Sequence, residues 1–366
     1  MHILQMISKN DRYGAQRIFL DQVAVLHGMG HRITVIGCAT DGYVSDSVRA
    51  MGIPYHGISW RKISDIFFLK KLIKDSGVDI IHTTLDRADY VGMLLCRLTR
   101  RPMVSTMMTL RCHHGYRIMK DVVVLSKKQQ ILLDSKTIWS ARISVIRPGI
   151  DVQRFTHPDK ERQSFWKRQL KTDNFSIIFC HVSNLLPRKA HLASLELMVA
   201  CKKRGENPLL IIIGDPLKGE YYETLLRRIA ELEIRDNVCF TGWTADLPEI
   251  LSLSHFSTLP SDHEALGVVL MEGMAAGTPI IAREGEGGAE LVDEYGSGFL
   301  YRPEEGVDIL AEELLRLHRD PVRYQALSDA CKKTAEEEFT LSRFGERLVA
   351  LYNRCGVSSG SGAGKT

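Results

Sequence analysis

Glu264 and Glu272 bracket a run, Ala265 to Met271, that is otherwise apolar. A carboxylate in such a run is costly unless donors or a cation meet it. Gly267 lies where a helix is expected to begin, and main-chain N–H groups at a helix start favour anions. Phosphate held there needs no metal. Glu264, in the loop before the helix, can accept from sugar hydroxyls. Glu272, about one and a half turns in, can take two adjacent hydroxyls such as those of a ribose. Together these features describe a site for a sugar nucleotide. The spacing leaves a second reading open, in which Glu264 is an N-terminal charge and Glu272 a solvent-facing helix position.

The elements around this segment suit such a site. HFSTLP ending at Pro260 reads as a strand, SDHEALG as a loop, VVLMEGMAAG as a helix stopped by Gly277, and PIIA as the next strand. A loop at the carboxyl end of a parallel strand is where open α/β sheets bind ligands. Short β-type runs alternate with helical patterns along the whole chain: HILQMI, ITVIG at 33–37, VDIIH at 78–82, MVST at 103–106, VVVL at 122–125 and SVI at 144–146. The series restarts after Pro148-Gly149 with FSIIFCHV at 175–182, LLIIIG at 209–214, VCFTG and HFSTLP. This alternation predicts two doubly wound parallel sheets. The expected domains are 1–150 and 151–338, with a terminal helix at 339–355 available to pack back on the first domain, and a flexible Gly/Ser tail at 356–366. SSGSGAGKT imitates a phosphate loop, but Ser359 replaces its first glycine and no helix follows Lys365-Thr366.

Composition narrows the function classes. The 366 residues hold eight cysteines, none in a CxxC pair, which suggests neither a zinc site nor a disulfide framework. No apolar run reaches about 18 residues and no signal-like start is present, so a cytoplasmic location is expected, with room for contact with the inner face of a membrane. The net charge of +4 conceals an asymmetry: residues 1–150 carry 22 Lys and Arg against 11 Asp, with no Glu, whereas the rest of the chain is net acidic. A basic half suggests an anionic partner. The segment RKISDIFFLKKLIKDSG carries Ile63, Ile66, Phe67, Leu69 and Ile73 between basic residues. It reads as a core-packing helix with a solvated basic face, or as a helix lying on an anionic membrane.

The segment from Glu264 to Glu272, with its MAAGTPII continuation, resembles the E-x7-E signature of the retaining glycosyltransferases of family four. Other segments follow the same family in the same order. Tyr13-Gly14-Ala15-Gln16-Arg17 resembles its glycine loop, Asp79-Ile80-Ile81-His82 its "DIVH" strand, and Val145-Ile146-Arg147-Pro148-Gly149-Ile150-Asp151 its interdomain "IPNGID". Asn184-Leu185-Leu186-Pro187-Arg188-Lys189 resembles "GRLxxxKG", Phe240-Thr241-Gly242 "FxG", and Gly287-Gly288-Ala289-Glu290 "GGxxE". The resemblance implies the GT-B fold, two Rossmann-like domains facing a central cleft, with acceptor on the first and a nucleotide-sugar donor, expected to be a UDP-sugar, mainly on the second. It implies that Glu264 contacts the transferred sugar, Glu272 the ribose, and the backbone of Leu266, Gly267 and Val268 the diphosphate. It further implies that Lys189 neutralises the leaving group, that Gly242 and Trp243 frame the base, and that Gly14 and Asn184 complete the donor site.

Departures mark where the transfer weakens. Asn184 stands where the family has arginine; Arg188, nearby, can either supply the missing cation or point into water. Met108 stands where the family often has a histidine, which makes His113 and His114 the acceptor-side candidates. The resulting expectation is a metal-independent enzyme that moves sugar to a saccharide or lipid-linked glycan with retention, in cell-surface polysaccharide or lipopolysaccharide synthesis. A sugar-nucleotide epimerase or hydrolase of the same fold is the alternative. A non-catalytic anion- or nucleic-acid-binding protein ranks lowest, since no aromatic-and-basic nucleic-acid module is present.

Overall fold

The computed structural model describes residues 1–38, 40–137 and 141–356. The Gly/Ser tail therefore lies almost wholly outside the described residues. The chain divides into two compact units, one comprising Met1–Gly149 with the C-terminal helix Leu341–Arg354, the other Ile150–Thr340.

The first unit is built on seven described strands: β1 (His2–Ile7), β2 (Arg32–Gly37), β3 (Tyr55–Gly57), β4 (Ile80–Thr84), β5 (Met103–Met107), β6 (Asp121–Val124) and β7 (Arg142–Val145). They pair in parallel in the order β3-β2-β1-β4-β5-β6-β7. Every residue of β1, β4 and β6 is buried, as expected where helices cover both faces of a parallel sheet. Edge strand β3 is absent from the sequence reading, because Tyr55-His56-Gly57 is short and offers no apolar run.

The second unit holds β8 (Ile177–Val182), β9 (Pro208–Ile213), β10 (Val238–Phe240), β11 (Phe256–Leu259), β12 (Ile280–Arg283) and β13 (Gly298–Tyr301). Their order is β10-β9-β8-β11-β12-β13, again parallel throughout. Phe179 of β8 and Phe256 of β11 stack across the sheet at 5.7 Å between centroids, inside a core that includes Leu210, Ile212 and Leu314. Each unit is thus a doubly wound, Rossmann-like α/β layer structure, and the chain has the GT-B fold.

Helix Leu341–Arg354 is anchored to the first unit by close packing and by a buried polar network. An added Cβ on Gly345 would lie 2.6 Å from Met29 Sδ and 2.9 Å from Val25, so any larger residue there would push these side chains aside. Fully buried Tyr352 places its hydroxyl 2.6 Å from His82 Nδ1, which also meets Gln22 Nε2 at 3.1 Å. On its other side, His82 Nε2 lies 2.7 Å from Thr106 Oγ1. The network ties the returning helix to β4 and β5.

Candidate active site

In an open parallel sheet the strand order reverses at one point, and the loops leaving the two strands there diverge to opposite faces and open a crevice. In the second unit that point lies between β8 and β11. β8 runs into residues 183–189, which close in a 3-10 turn, Pro187–Lys189, before the helix His191–Lys203. β11 runs into residues 260–267 before the helix Val268–Ala275. Topology alone therefore brings Lys189 to Glu264.

The two side chains form an ion pair between Lys189 Nζ and Glu264 Oε2, each largely shielded from water. The surrounding loops are tied to each other through their main chains. Asp262 N–H donates to the Arg188 carbonyl at 2.7 Å. Glu264 N–H donates to Glu286 Oε2 at 2.8 Å, and Gly287 N–H donates to the Glu264 carbonyl at 3.0 Å. Arg283, at the end of β12, pairs with Asp262. Between Asp262 and Glu264, His263 adopts φ +56°, a left-handed conformation that costs a non-glycine residue about 1–3 kcal/mol and persists only where its surroundings enforce it.

Gly267 stands at φ +80° and caps the helix Val268–Ala275, with an ideal Cβ only 3.0 Å from Leu259 Cδ2. No side chain caps this helix start and its first turn contains no acidic residue, so its main-chain donors suit a bound anion. Leu266 is buried, and Val268 is the first helical residue. Glu272 is 1% exposed, which rules out the solvent-facing alternative for that position.

Behind the Lys189 turn lies a buried histidine pair. His181 of β8 and His191 stack with centroids 4.1 Å apart. Ser183 Oγ lies 3.1 Å from Nε2 of each ring, and Ser194 Oγ is 2.9 Å from His181 Nδ1. Burial, reinforced by the Lys189 charge, pushes the His191 pKa down to about 3. Burial also holds His181 well below its ordinary value, aided by His191 and Lys189. Both rings are therefore neutral at neutral pH.

The remaining donor-side candidates sit nearby with different exposures. Asn184 is partly buried and Arg188 exposed; the Arg188 carbonyl, not its guanidinium, carries the loop contact described above. Gly242, at φ +68°, accepts from Gly214 N–H at 3.2 Å, and the indole of Trp243 is exposed beside it. Among the described residues, no group of three or more His, Cys, Asp or Glu is arranged to hold a metal ion.

Gly14, Met108, His113 and His114 belong to the first unit. Gly14 is exposed and opens the helix Gly14–Gly28. Met108 follows β5 and is buried. His113 has both ring nitrogens engaged: Nδ1 accepts from Gly115 N–H at 3.0 Å, which leaves the proton on Nε2, 2.8 Å from Asp89 Oδ2. Asp89 is fully buried and also accepts from Ser105 Oγ at 2.6 Å and from Thr83 Oγ1. Beside it, burial and the Asp89 charge raise the Tyr116 hydroxyl well above its ordinary pKa. His113 thus anchors its own loop to Asp89, whereas His114 is exposed.

Sequence reasoning missed Glu286, Arg283, Asp262, Asp89 and the pair His181–His191. Glu286 adjoins the Gly287-Gly288 motif, and that adjacency was the available signal. The others become visible only through contacts across the fold.

Comparison with known proteins agrees with this architecture. Residues 13–154 match Glycosyltransferase Family 4, and residues 162–338 match Glycosyl transferases group 1. A curated relative from Escherichia coli, UDP-Gal:alpha-D-GlcNAc-diphosphoundecaprenol alpha-1,3-galactosyltransferase, is 26% identical over 375 residues, covering 93% of both chains. GDP-mannose-dependent monoacylated alpha-(1-6)-phosphatidylinositol monomannoside mannosyltransferase from Corynebacterium glutamicum is 32% identical, over 56% of this chain and 54% of its own length. Among solved structures, Anabaena Alr3699/HepE in complex with UDP superposes with a TM-score of 0.85 at 21% identity, covering 97% of this chain and all of that one.

Proposed function

The chain belongs to the family-four glycosyltransferases, and from that premise we propose that it transfers a hexose from a UDP-sugar to a lipid-linked or free saccharide, with retention of anomeric configuration. The observation that carries this reading is the Lys189–Glu264 ion pair next to the side-chain-free helix start at Gly267. The relative matched over nearly its full length acts on UDP-Gal and a diphosphoundecaprenol-linked sugar, which favours a UDP donor and a lipid-linked acceptor here. A second near-full-length relative, from Rhizobium meliloti, is a lipopolysaccharide core biosynthesis glycosyltransferase, which supports a place in cell-surface glycan synthesis.

In the proposed reaction the bond between the anomeric carbon and the diphosphate oxygen breaks while charge builds on the leaving phosphate. Lys189 and the N–H groups at 267–269 meet that charge, and preorganised donors of this kind stabilise such transition states most when they need no rearrangement. The acceptor hydroxyl attacks from the same face, the new C–O bond forms, and its proton passes to the departing phosphate, giving glycoside and UDP. Glu264 orients the sugar and Glu272 the ribose. With Lys189 and the helix start supplying the positive potential, the reaction runs without a metal ion.

A membrane-facing role for the basic first unit completes the proposal. Leu69 and Ile73 of the helix Ile63–Asp75 turn inward, but Ile63 is 75% and Phe67 68% exposed, beside Lys70, Lys71 and Lys74. The adjoining helix Asp86–Thr99 exposes Tyr90, Leu94 and Leu98 along one stripe with Arg97. Apolar side chains among cations fit the interface of an anionic bilayer, which supports a position of the enzyme at the inner face of the membrane, beside a lipid-linked acceptor. Among the described residues, no helix is long and apolar enough to cross a membrane.

The test is incubation with UDP-, GDP- and ADP-hexoses, with and without saccharide acceptors, followed by analysis of products and of anomeric configuration. Transfer from a UDP-sugar with retention is the expected result. Hydrolysis or isomerisation alone would replace transfer with the alternative chemistry of the same fold, and absence of any nucleotide binding would overturn the reading.

A further inference from the structure

Glu286 lies outside the residues whose types suggested a donor site, yet its carboxylate bonds directly to the main chain of Glu264. Its Oε2 accepts the N–H of Glu264 at 2.8 Å. The next residue, Gly287, donates its N–H to the carbonyl of the same Glu264 at 3.0 Å. Consecutive residues of the loop after β12 therefore grip both polar main-chain groups of Glu264. The grip requires backbone-to-backbone contact, since a Cβ on Gly287 would fall 1.9 Å from the Ala265 carbonyl oxygen.

Other ties converge on the same short segment. Arg283 holds Asp262 from the β12 side, and Asp262 N–H donates to the Arg188 carbonyl at 2.7 Å on the β8 side. Between these anchors His263 is held at φ +56°, so the segment has an incentive to relax once an anchor is removed. The Glu264 side chain then reaches Lys189 from a main chain that its neighbours have already oriented. A carboxylate accepting a main-chain N–H is a charge-assisted bond, stronger than a neutral one.

We propose that Glu286 is a positioning residue, which fixes the main chain at Glu264 so that the Glu264 carboxylate and Lys189 stay aligned on the donor sugar and its leaving phosphate. The proposal rests on the assignment of Glu264 and Lys189 to a sugar-nucleotide donor. Glu286 acts through Glu264 and touches no reacting atom. Displacement of a reacting group by about 1 Å costs on the order of 10²-fold in rate. The loss belongs in turnover and not in nucleotide affinity, because the helix start at Gly267 does not depend on this bond.

The experiment compares Glu286→Ala and Glu286→Gln with the wild-type chain in three measurements: transfer kinetics with a UDP-sugar, UDP affinity by calorimetry, and hydrogen exchange of the segment 261–267. Glu286→Ala is expected to lower kcat by about 10²-fold, to leave the UDP affinity within about twofold, and to speed exchange in the segment. Glu286→Gln keeps an oxygen acceptor for the Glu264 N–H and is expected to recover most of both the rate and the protection. Unchanged kcat in Glu286→Ala overturns the proposal. So does a parallel fall of UDP affinity, melting temperature and rate in both variants, which would mark a general role in folding. Should the wild-type chain bind no sugar nucleotide, the functional reading fails, and the exchange measurement still decides the clamp: unaltered exchange in Glu286→Ala removes it.

Discussion

The Lys189 ammonium lies against the Glu264 carboxylate, with only 13% and 16% of the respective side chains exposed. In the proposed reaction, the pair puts the cation for the leaving phosphate and the acceptor for sugar hydroxyls side by side before any ligand arrives. An incoming diphosphate must share Lys189 with Glu264. Lys189→Ala is therefore expected to lower kcat by about 10²–10³-fold, the usual effect of removing one preorganised contact. Glu264→Gln releases Lys189 from its partner, so UDP should bind at least as tightly as to the wild-type chain while turnover of the UDP-sugar collapses. Calorimetry with UDP alone checks this, and a marked loss of UDP affinity in Glu264→Gln would contradict the arrangement.

Ala190 follows Lys189 at φ +54°, ψ +41°. A left-handed conformation costs an alanine roughly 1–2 kcal/mol and a glycine almost nothing. Ala190→Gly is expected to stabilise the chain by about 1 kcal/mol, after allowance for the greater freedom of glycine in the unfolded state. Urea unfolding of the two proteins measures the difference, and a destabilised glycine variant would be the contrary result.

His82 and His191 have pKa values that burial pushes down to about 3. Their folded values lie below the ordinary value of about 6.5, so the unfolded chain takes up protons first as the pH falls. The stability contribution of the neutral rings is complete above about pH 6.5 and is lost progressively from there toward pH 3. The loss is about 1.4 kcal/mol per pH unit for each ring, or about 2 kcal/mol each at pH 5. Unfolding free energies at pH 7 and pH 5 for the wild-type chain and His191→Asn should converge by about that amount as the pH drops. Parallel profiles would show that His191 does not titrate in this way.

Tyr352→Phe removes the hydroxyl that meets His82 inside the first unit. Loss of one buried hydrogen bond with a polar partner left behind costs about 1–3 kcal/mol. The variant should unfold at lower urea concentration, with faster hydrogen exchange across Leu341–Arg354. Equal protection of that helix in both proteins would mean that apolar packing alone holds it.

Phe67→Asp together with Ile63→Asp should abolish sedimentation with anionic vesicles at low salt and leave UDP affinity unchanged, because neither side chain contributes to the second unit. Wild-type binding should fall steeply with added salt, as expected for cationic attraction over a Debye length of about 10 Å at 0.1 M. Equal sedimentation of wild-type and doubly substituted protein would separate this surface from membrane contact.

Much of the fold was legible in the residues themselves. Buried parallel strands are continuous runs of Ile, Leu and Val, and HILQMI, FSIIFCHV and LLIIIG declare their strands without reference to anything distant. Gly267 and Gly277 bound a helix because each stands at a positive φ that other residues adopt at a cost. Strand β3 and the basic helix were harder to read. Three residues at a sheet edge bury too little to leave a pattern, and a pattern of apolar residues does not say which of them meets a core and which meets water.

The order of residue types along the chain determined two α/β units, a helix start able to receive an anion, and two carboxylates within reach of it, since these follow from hydrophobic periodicity and backbone preference over a few neighbours. Only the tertiary structure decided that Lys189 meets Glu264, that Glu286 grips the Glu264 main chain, that His113 is tied to Asp89, and that Tyr352 reaches His82 across 270 positions of sequence. The reason is physical: such contacts are set by strand order and by the crossing of loops at a sheet's switch point, and no local stretch of sequence encodes which loop will lie beside it.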